Sequence, residues 1–286
     1  MSMVPAREIV RDASARGYAI AAINCQGGNY DIVRAVLETA EEENAPVILM
    51  AYEKNTEYYG LDWLPTIVSQ LGRSMRVPVA VHLDHGQDVT VVKRATELGY
   101  TSVMIDYSTR SIEENIAANL EVIEAARPAG ISVEAELGEL QRNDGTPMKA
   151  AENLVDPGQV RRFLDGAPVD MLAVGIGNAH GFYKGEPDIR IDLLEEVQKV
   201  SGDTPLVLHG TTGIPEPIVK KCISHGMAKI NFGTLVRVNF MTYMAEEIAK
   251  EDEHKGHIWR VCRKAEARLK EDVRGIIRLT GSNGKA

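Results

Sequence analysis

The sequence repeats one alternation eight times: a short apolar run typical of a buried strand, then an amphipathic stretch with helical spacing. The apolar runs span 18–24, 46–50, 77–84, 102–106, 132–136, 171–175, 206–209 and 228–231. The amphipathic stretches span 30–43, 64–73, 89–98, 112–126, 157–164, 191–200, 215–225 and 234–250. Eight strand–helix units in succession predict an α/β fold, a (β/α)8 TIM barrel with a parallel sheet.

One barrel accounts for nearly the whole length of the chain. Barrels of this type routinely reach the 286 residues present here, and no low-complexity linker or longer repeat divides the sequence. We therefore expect a single domain over residues 1–286. Residues 250–286 are expected to add a C-terminal helix, at 257–274, and a tail.

Composition limits the kinds of partner. A net charge of −9 without a basic stripe argues against nucleic acid. The three cysteines form no CxxC pair, which favours neither a disulfide framework nor a thiolate zinc site and fits a reducing compartment. The N-terminus becomes polar too early for a secretory signal, and no apolar run approaches the roughly 18 residues of a membrane span. We expect a soluble, cytoplasmic protein that acts on a small molecule.

Polar residues stand where the predicted strands end, which is the face that carries active sites in such barrels. They are Asn24, Asp84, His85, Asp106, Glu134, Glu136, His180, His209 and Asn231. The imidazoles of His85, His180 and His209 predict a divalent metal site, and Asp84 adds a candidate general acid or base.

The other four histidines are expected to be structural. His82 is expected to face out of the barrel or to support His85, and His225 to end a helix. His254 and His257 lie in a charged stretch that is typical of a surface.

Glycines and hydroxyl residues follow the seventh and eighth strands. The first loop reads HGTTGIP at 209–215, and the second reads NFGT at 231–234, at the start of a helix. Glycines permit close approach of backbone N–H groups, and helix N-termini attract anions, so these loops predict a phosphate cradle. The glycines of 175–181 lead to a histidine instead of a helix, so no nucleotide cofactor is expected.

Several motifs, in the same order along nearly the whole chain, resemble the class II metal-dependent ketose-bisphosphate aldolases, which include fructose-bisphosphate and tagatose-bisphosphate aldolases. The shared motifs are HLDH at 82–85, SVMID at 102–106, EENI at 113–116, VEAELG at 133–138, IGNAHG at 176–181, HG at 209–210, AKIN at 228–231 and GSNGKA at 281–286. The resemblance implies a zinc ion held by His85, His180 and His209, with Asp106 and Glu136 as an alternative metal position. It also implies that a dihydroxyacetone-phosphate half, often beside Na⁺ or K⁺, is held by Gly181, Gly210, Thr211, Thr212, Asn231, Phe232, Gly233 and Thr234. Asn24, at the end of strand 1, is expected to contact the substrate as well.

The implied reaction explains why these residue types occur together. Breaking a carbon–carbon bond beside a ketone leaves an enediolate, whose charge a divalent ion with neutral nitrogen ligands stabilises. Asp84 would take the C4 hydroxyl proton and return it during condensation. Because neighbouring side chains on a strand diverge, Asp84 is expected to lie beside the metal without ligating it. Asn231 could donate a hydrogen bond to the enediolate, and Lys184 could neutralise phosphate charge.

Three departures from the family pattern argue against fructose bisphosphate as the substrate. Residues 138–158 resemble the family's lid, which usually supplies a second acid/base glutamate, but spacing from the strand 5 motif reaches Asp144 and alignment on the Asp-Gly pair reaches Asn143. Tyr52 stands where the family has a serine that contacts the distal phosphate. Gly233 stands where fructose-bisphosphate enzymes usually have an aspartate.

We predict a metal-dependent class II aldolase of carbohydrate metabolism that reversibly cleaves a phosphorylated ketose to dihydroxyacetone phosphate and an aldehyde. The first alternative is a ketose monophosphate or a sugar-acid ketose phosphate, either of which lacks the distal phosphate. A second alternative, a non-catalytic barrel subunit of an aldolase complex, would be favoured by loss of Asp84 or a histidine ligand, and none is lost. A metal-dependent hydrolase would need a His-x-His pair on an early strand, which is absent. Association through outer helices predicts a homodimer or homotetramer.

Overall fold

Eight parallel strands form a closed barrel and pair in chain order, with β8 returning to β1. The computed structural model describes residues 3–138, 154–183, 185–250 and 255–286. The strands are β1 (Ile20–Asn24), β2 (Val47–Tyr52), β3 (Val79–Gly86), β4 (Ser102–Ile105), β5 (Ser132–Leu137), β6 (Met171–Val174), β7 (Leu206–Leu208) and β8 (Met227–Phe232). The predicted (β/α)8 fold is therefore confirmed.

Helices alternate with the strands, and most of them cover the outside of the barrel. In the described residues they are α1 (Ala6–Arg16), α2 (Tyr30–Glu42), α3 (Glu53–Tyr59), α4 (Trp63–Leu71), α5 (Val89–Ala95), α6 (Ile112–Ala126), α7 (Pro157–Gly166), α8 (Ile191–Ser201), α9 (Glu216–Ser224), α10 (Thr234–Ile248) and α11 (Ile258–Thr280). Local signals fix their starts: Asn29 caps α2, and Ser111 and Glu114 form a capping box on α6.

Two of these helices, α1 and α3, were not predicted. The first buries Ala6, Ile9, Val10 and Ala13, the i, i+3, i+4, i+7 spacing of a packed helix, within a segment whose overall polarity concealed it. The second has seven residues and buries only Thr56, so it carries no readable stripe.

Helix α1 closes the end of the barrel opposite the carboxyl ends of the strands. Its apolar stripe packs on the lower interior of the barrel, in a cluster with small and medium side chains such as Ala22, Ala80 and Val207. Its first turn is also tied to β5, because the Arg7 backbone N–H donates to Ser132 Oγ at 3.0 Å. The barrel is thus packed at one end, and its polar residues collect toward the other.

The C-terminal helix α11 runs to Thr280, six residues past the predicted limit, and ends at Gly281 in the left-handed conformation (φ 73°). It packs on α2 and α10, and Arg274 on its polar face pairs with Glu42 and Glu43. Within the described part of the chain, no helix has both the length and the apolar character needed to cross a bilayer.

Candidate active site

Three imidazoles meet at the carboxyl ends of β3, β6 and β7. The ring centroid of His85 lies 4.8 Å from those of both His180 and His209, and the latter two are 6.1 Å apart. One nitrogen from each ring lies within 4.8 Å of the other two. Residues that are distant in the sequence are therefore gathered as a set that could hold one divalent ion.

A local irregularity in β3 turns His85 toward this centre. The pairing of β3 with β4 shifts register between Leu83 and Gly86, and His85 adopts a positive φ of 50°. In a regular strand His85 would face away from Asp84; here their Nε2 and Oδ1 atoms are 4.0 Å apart. The expectation that the two side chains diverge does not hold at this bulge.

A second group of donors shares His85. Asp106 and Glu136 lie with it in a set whose ligand atoms are also within 4.8 Å of one another. Glu136 is buried, and its Oε2 atom has no hydrogen-bond partner among the residues that the structure describes. Since a buried, unsatisfied carboxylate oxygen is costly, this donor set fits a cation, and the three nitrogens beside it fit a metal of the zinc type.

Two carboxylates fix the ring nitrogens that face away from the centre. Asp106 Oδ2 lies 2.8 Å from His85 Nδ1, and Glu134 Oε1 lies 2.9 Å from His209 Nε2. The opposite nitrogens, His85 Nε2 and His209 Nδ1, face each other at 3.1 Å. Such carboxylate–imidazole pairs orient metal ligands and increase their basicity.

Electrostatics differ sharply among the imidazoles. Burial alone would lower the pKa of His85, but the carboxylates around it, Asp84 first among them, raise it to about 10. Burial, with the charge of His85, lowers the pKa of His180 to about 3. Burial and the nearby Asp106 raise the pKa of Glu136. Without a metal ion the centre therefore holds a proton on His85, which a bound cation would replace.

Asp84 faces the same space from inside the barrel and is 6% exposed. Its Oδ1 accepts a hydrogen bond from Asn231 Nδ2 at 3.3 Å. Burial acts to raise its pKa, but the charges of His85, His209 and Lys229 together leave the pKa below the usual value. The carboxyl group is therefore ionised at neutral pH and able to accept a proton.

Two side chains join the His180 loop to the loop after β7. The buried Asn178 donates from Nδ2 to the His209 carbonyl at 3.0 Å. Tyr183 accepts from the Ala179 N–H at 2.8 Å and donates to the Gly210 carbonyl at 3.1 Å. These contacts hold His180 and His209 in a fixed relation, because the residues on both sides of His180 are attached to the main chain of His209 and Gly210.

The predicted phosphate cradle has the backbone that close approach requires. Gly210 has a φ of 64°, and a Cβ there would lie 2.3 Å from the Ala179 carbonyl oxygen. Thr211 Oγ1 is buried, and no described residue forms a hydrogen bond with it. Thr212 Oγ1 accepts from the Leu235 N–H in the first turn of α10. An unsatisfied hydroxyl beside a helix N-terminus suits an anion.

The other residues predicted to bind substrate differ in their positions and contacts. Asn24, beside Gly233, accepts from the backbone N–H and side-chain amide of Gln26. Gly181 has a φ of 96°, and Thr234 begins α10. The side chain of Phe232 packs in the hydrophobic core outside the strands, so only its main chain is directed to the site. Lys184, Asp144 and Asn143 lie outside the described residues.

A buried polar layer inside the barrel was not identified from the sequence. It consists of His82, Glu134 and Lys229, each 0% exposed, directly beneath the candidate metal centre. Of the two placements predicted for His82, outside the barrel or in support of His85, the outward one is wrong: its Nδ1 lies 2.7 Å from Ser102 Oγ inside the barrel. His82, Glu134 and Lys229 stand two positions before Asp84, Glu136 and Asn231, respectively. Because side chains alternate along a strand, the two residues of each pair lie on the same face of the sheet, and this spacing was the signal in the sequence that could have identified the layer.

The barrel and site together define an enzyme in which a candidate metal centre lies next to an anion cradle. The family profile described as "Fructose-bisphosphate aldolase class-II" matches residues 4–285. The chain belongs to this class II aldolase family, and it is an aldolase, a carbon–carbon lyase.

Relatives and solved structures agree with this assignment. A "Probable fructose-bisphosphate aldolase" of Bacillus subtilis is 37% identical, with both chains covered completely. The crystal structure of the YdjI aldolase from Escherichia coli K12 superposes with a TM-score of 0.86 at 31% identity, again over 100% of each chain. A putative fructose-1,6-bisphosphate aldolase from Coccidioides immitis gives a TM-score of 0.87 at 28% identity, over 98% of this chain and 97% of that one.

Proposed function

We propose that this aldolase is zinc-dependent and reversibly cleaves a phosphorylated ketose to dihydroxyacetone phosphate and an aldehyde. The observation that carries the proposal is the convergence of His85, His180 and His209 beside Asp84 and next to the Gly210–Thr212 loop. A zinc ion on the three imidazoles would supply Lewis acidity for the negative charge that develops when the bond beside the ketone breaks.

The other proposed roles, proton transfer and phosphate binding, belong to side chains and backbone groups of the protein. Asp84 accepts the C4 hydroxyl proton in cleavage and returns it in condensation, and Asn231 holds the Asp84 carboxylate in place. The glycine-rich loop after β7 and the N-terminus of α10 bind the phosphate of the ketone half. Asp144 is the proposed second acid/base and Lys184 a proposed phosphate ligand.

A substrate without a distal phosphate is the second candidate, and Tyr52 favours it. This tyrosine ends β2, and its ring meets the His85 ring edge-on with centroids 6.2 Å apart. An aromatic ring there occupies space beside the aldehyde half. A ketose monophosphate or sugar-acid ketose phosphate would leave this end of the pocket without a phosphate to bind.

The replacement Asp84→Asn tests the assignment of the base. It keeps the shape of the side chain but removes the proton acceptor, so turnover should fall about 10²–10⁴-fold while bound zinc is retained. Turnover is followed by coupled detection of dihydroxyacetone phosphate, and zinc by elemental analysis. Asp165→Asn, at an ion pair with Arg161 on the surface of α7, is the matched control and should change neither. Unchanged turnover in Asp84→Asn would refute the role.

A substrate panel separates the two candidates. Ketose bisphosphates, ketose monophosphates and sugar-acid ketose phosphates are compared by kcat/KM with the same assay. Preference for bisphosphates selects the first candidate, and preference for compounds with one phosphate selects the second. Absence of zinc from active protein would contradict the metal assignment for both.

A further inference from the structure

A lysine lies inside the barrel directly beneath the candidate metal centre. Lys229 Nζ is 2.9 Å from Glu134 Oε2 and 2.8 Å from Asn231 Oδ1, and all of these side chains are buried. We propose that Lys229 is a positioning residue that sets the direction of the hydrogen bonds in this layer, and thereby decides which atoms of His209 and Asn231 face the reacting groups. The inference rests on the proposed function of the site.

One branch of the network passes through Asn231. An ammonium group can only donate hydrogen bonds, so the amide atom that faces Lys229 must be the acceptor Oδ1. The Nδ2 group is then left to donate to Asp84 Oδ1, at 3.3 Å. With the amide reversed, two donors would meet at Lys229 and two acceptors at Asp84. Lys229 therefore selects the amide orientation that supports the base.

The other branch passes through Glu134. Its Oε2 and Oε1 atoms lie 2.9 Å and 3.2 Å from Lys229 Nζ, and this buried ion pair holds the group as a carboxylate. An ionised carboxylate can only accept, so His209 must carry its proton on Nε2, which faces Glu134 at 2.9 Å. The unprotonated Nδ1 of the neutral ring is then directed toward His85 and Glu136, as a metal ligand requires.

The composition of the layer indicates a role beyond stability. Burial lowers the pKa of His82 to about 3, so this ring is neutral and the layer contains one cation and one anion, Lys229 and Glu134. Apolar residues of similar volume generally support a fold as well as a buried ion pair does. An ion pair at this place instead supplies a donor and an acceptor of fixed direction, which apolar side chains cannot.

The test uses Lys229→Met alone and together with Glu134→Gln in the full chain. The single variant leaves Glu134 as an uncompensated buried charge and should lower the melting temperature. The double variant removes both charges and should recover much of that loss, but the amide introduced by Glu134→Gln can donate as well as accept and no longer specifies direction. We expect zinc affinity to remain about 10–100-fold weaker in the double variant, and kcat to fall more than KM changes.

A matched control and a metal-free measurement separate the possible outcomes. Glu266→Gln removes a buried carboxylate paired with Arg34, far from the site, and should alter the melting temperature without altering zinc affinity. A folded double variant with normal zinc affinity and normal kcat would overturn the proposal.

In chelator-treated protein, ¹⁵N NMR of singly protonated His209 should show the Nε2–H tautomer in the parent chain. The double variant should lose that preference. The Nδ1–H tautomer in the parent would also overturn it. This last measurement remains decisive even if the protein binds no zinc and the proposed function fails.

Discussion

His85 belongs to both candidate donor sets, with the two histidines on one side and with Asp106 and Glu136 on the other. Its placement depends on a bulge and a positive φ, a conformation that costs about 1–3 kcal/mol in residues other than glycine. Such strain at a single residue is common at functional sites, because the surrounding contacts must hold it in place. A cation in either position uses the same imidazole, so loss of His85 removes both positions together.

The metal-free protein offers a direct measurement of this residue. His85 should remain protonated up to about pH 10 in chelator-treated protein, and His180 should stay neutral down to about pH 3. Because the folded-state pKa of His85 is raised above its ordinary 6.5, its contribution to stability is complete below pH 6.5 and is lost as the pH rises through 10. NMR titration of the imidazoles checks the pKa values, and chemical unfolding at several pH values checks the trend. A His85 that titrates near 6.5 would contradict both.

For individual residues, the sequence predicts the positions of polar side chains at strand ends better than those of polar side chains within strands. Asp84, His85, His180 and His209 were identifiable because each ends or follows an apolar run, at the face of the barrel that carries the candidate site. Glu134 was placed with the strand-end residues although it lies beneath them, and Lys229 was given no role, since a charged residue inside a strand conflicts with the apolar pattern expected of a buried one. Their function depends on pairing across the barrel between β5 and β8, which no local window of sequence contains.

Among the elements, the loops after β6 and β7 determine whether the site is assembled. The loop after β7 was identified from its glycines, but its attachment through Asn178 and Tyr183 was not, because those contacts join segments about 30 residues apart. Helix α3 was missed for a local reason: its seven residues are too few to show a helical period of apolar side chains.

Gly210→Ala tests the loop after β7. The new Cβ would collide with the Ala179 carbonyl oxygen and would occupy a left-handed backbone conformation, so we expect a loss of stability of about 1–3 kcal/mol and a raised KM for the phosphorylated ketose. Thermal unfolding and steady-state kinetics provide the readouts. The control is Gly275→Ala in α11, where the added methyl group has open space; it should stabilise the protein by about 0.5–1 kcal/mol and leave KM unchanged. Equal effects of the two substitutions would show that the loop tolerates a side chain.

For the whole molecule, the eightfold alternation was sufficient to predict the closed sheet, because parallel strands joined by helices have few other ways to bury both faces. Whether copies of the barrel associate cannot be inferred from the pattern of strands. Apolar side chains on α10 and α11 are unusually open: Met241 is 64% exposed and Trp259 is 54% exposed. These positions are the natural candidates for contact between copies.

We expect light scattering to give a mass twice or four times that of one chain. Replacing Met241 and Trp259 by glutamate should reduce that mass, because charges at a subunit contact would have to be desolvated. A single-chain mass for the parent protein at micromolar concentration would contradict the expectation of a dimer or tetramer. Charge replacement at an exposed lysine, Lys220→Glu, is the control and should leave the mass unchanged.

The closure of the lower barrel by α1 bears on how molecules reach and leave the site. The apolar stripe of α1 fills the lower interior, so the substrate and the products of its cleavage must pass through the same open rim. A ligand that covers this rim should therefore block entry and departure alike, as expected of a dead-end chamber.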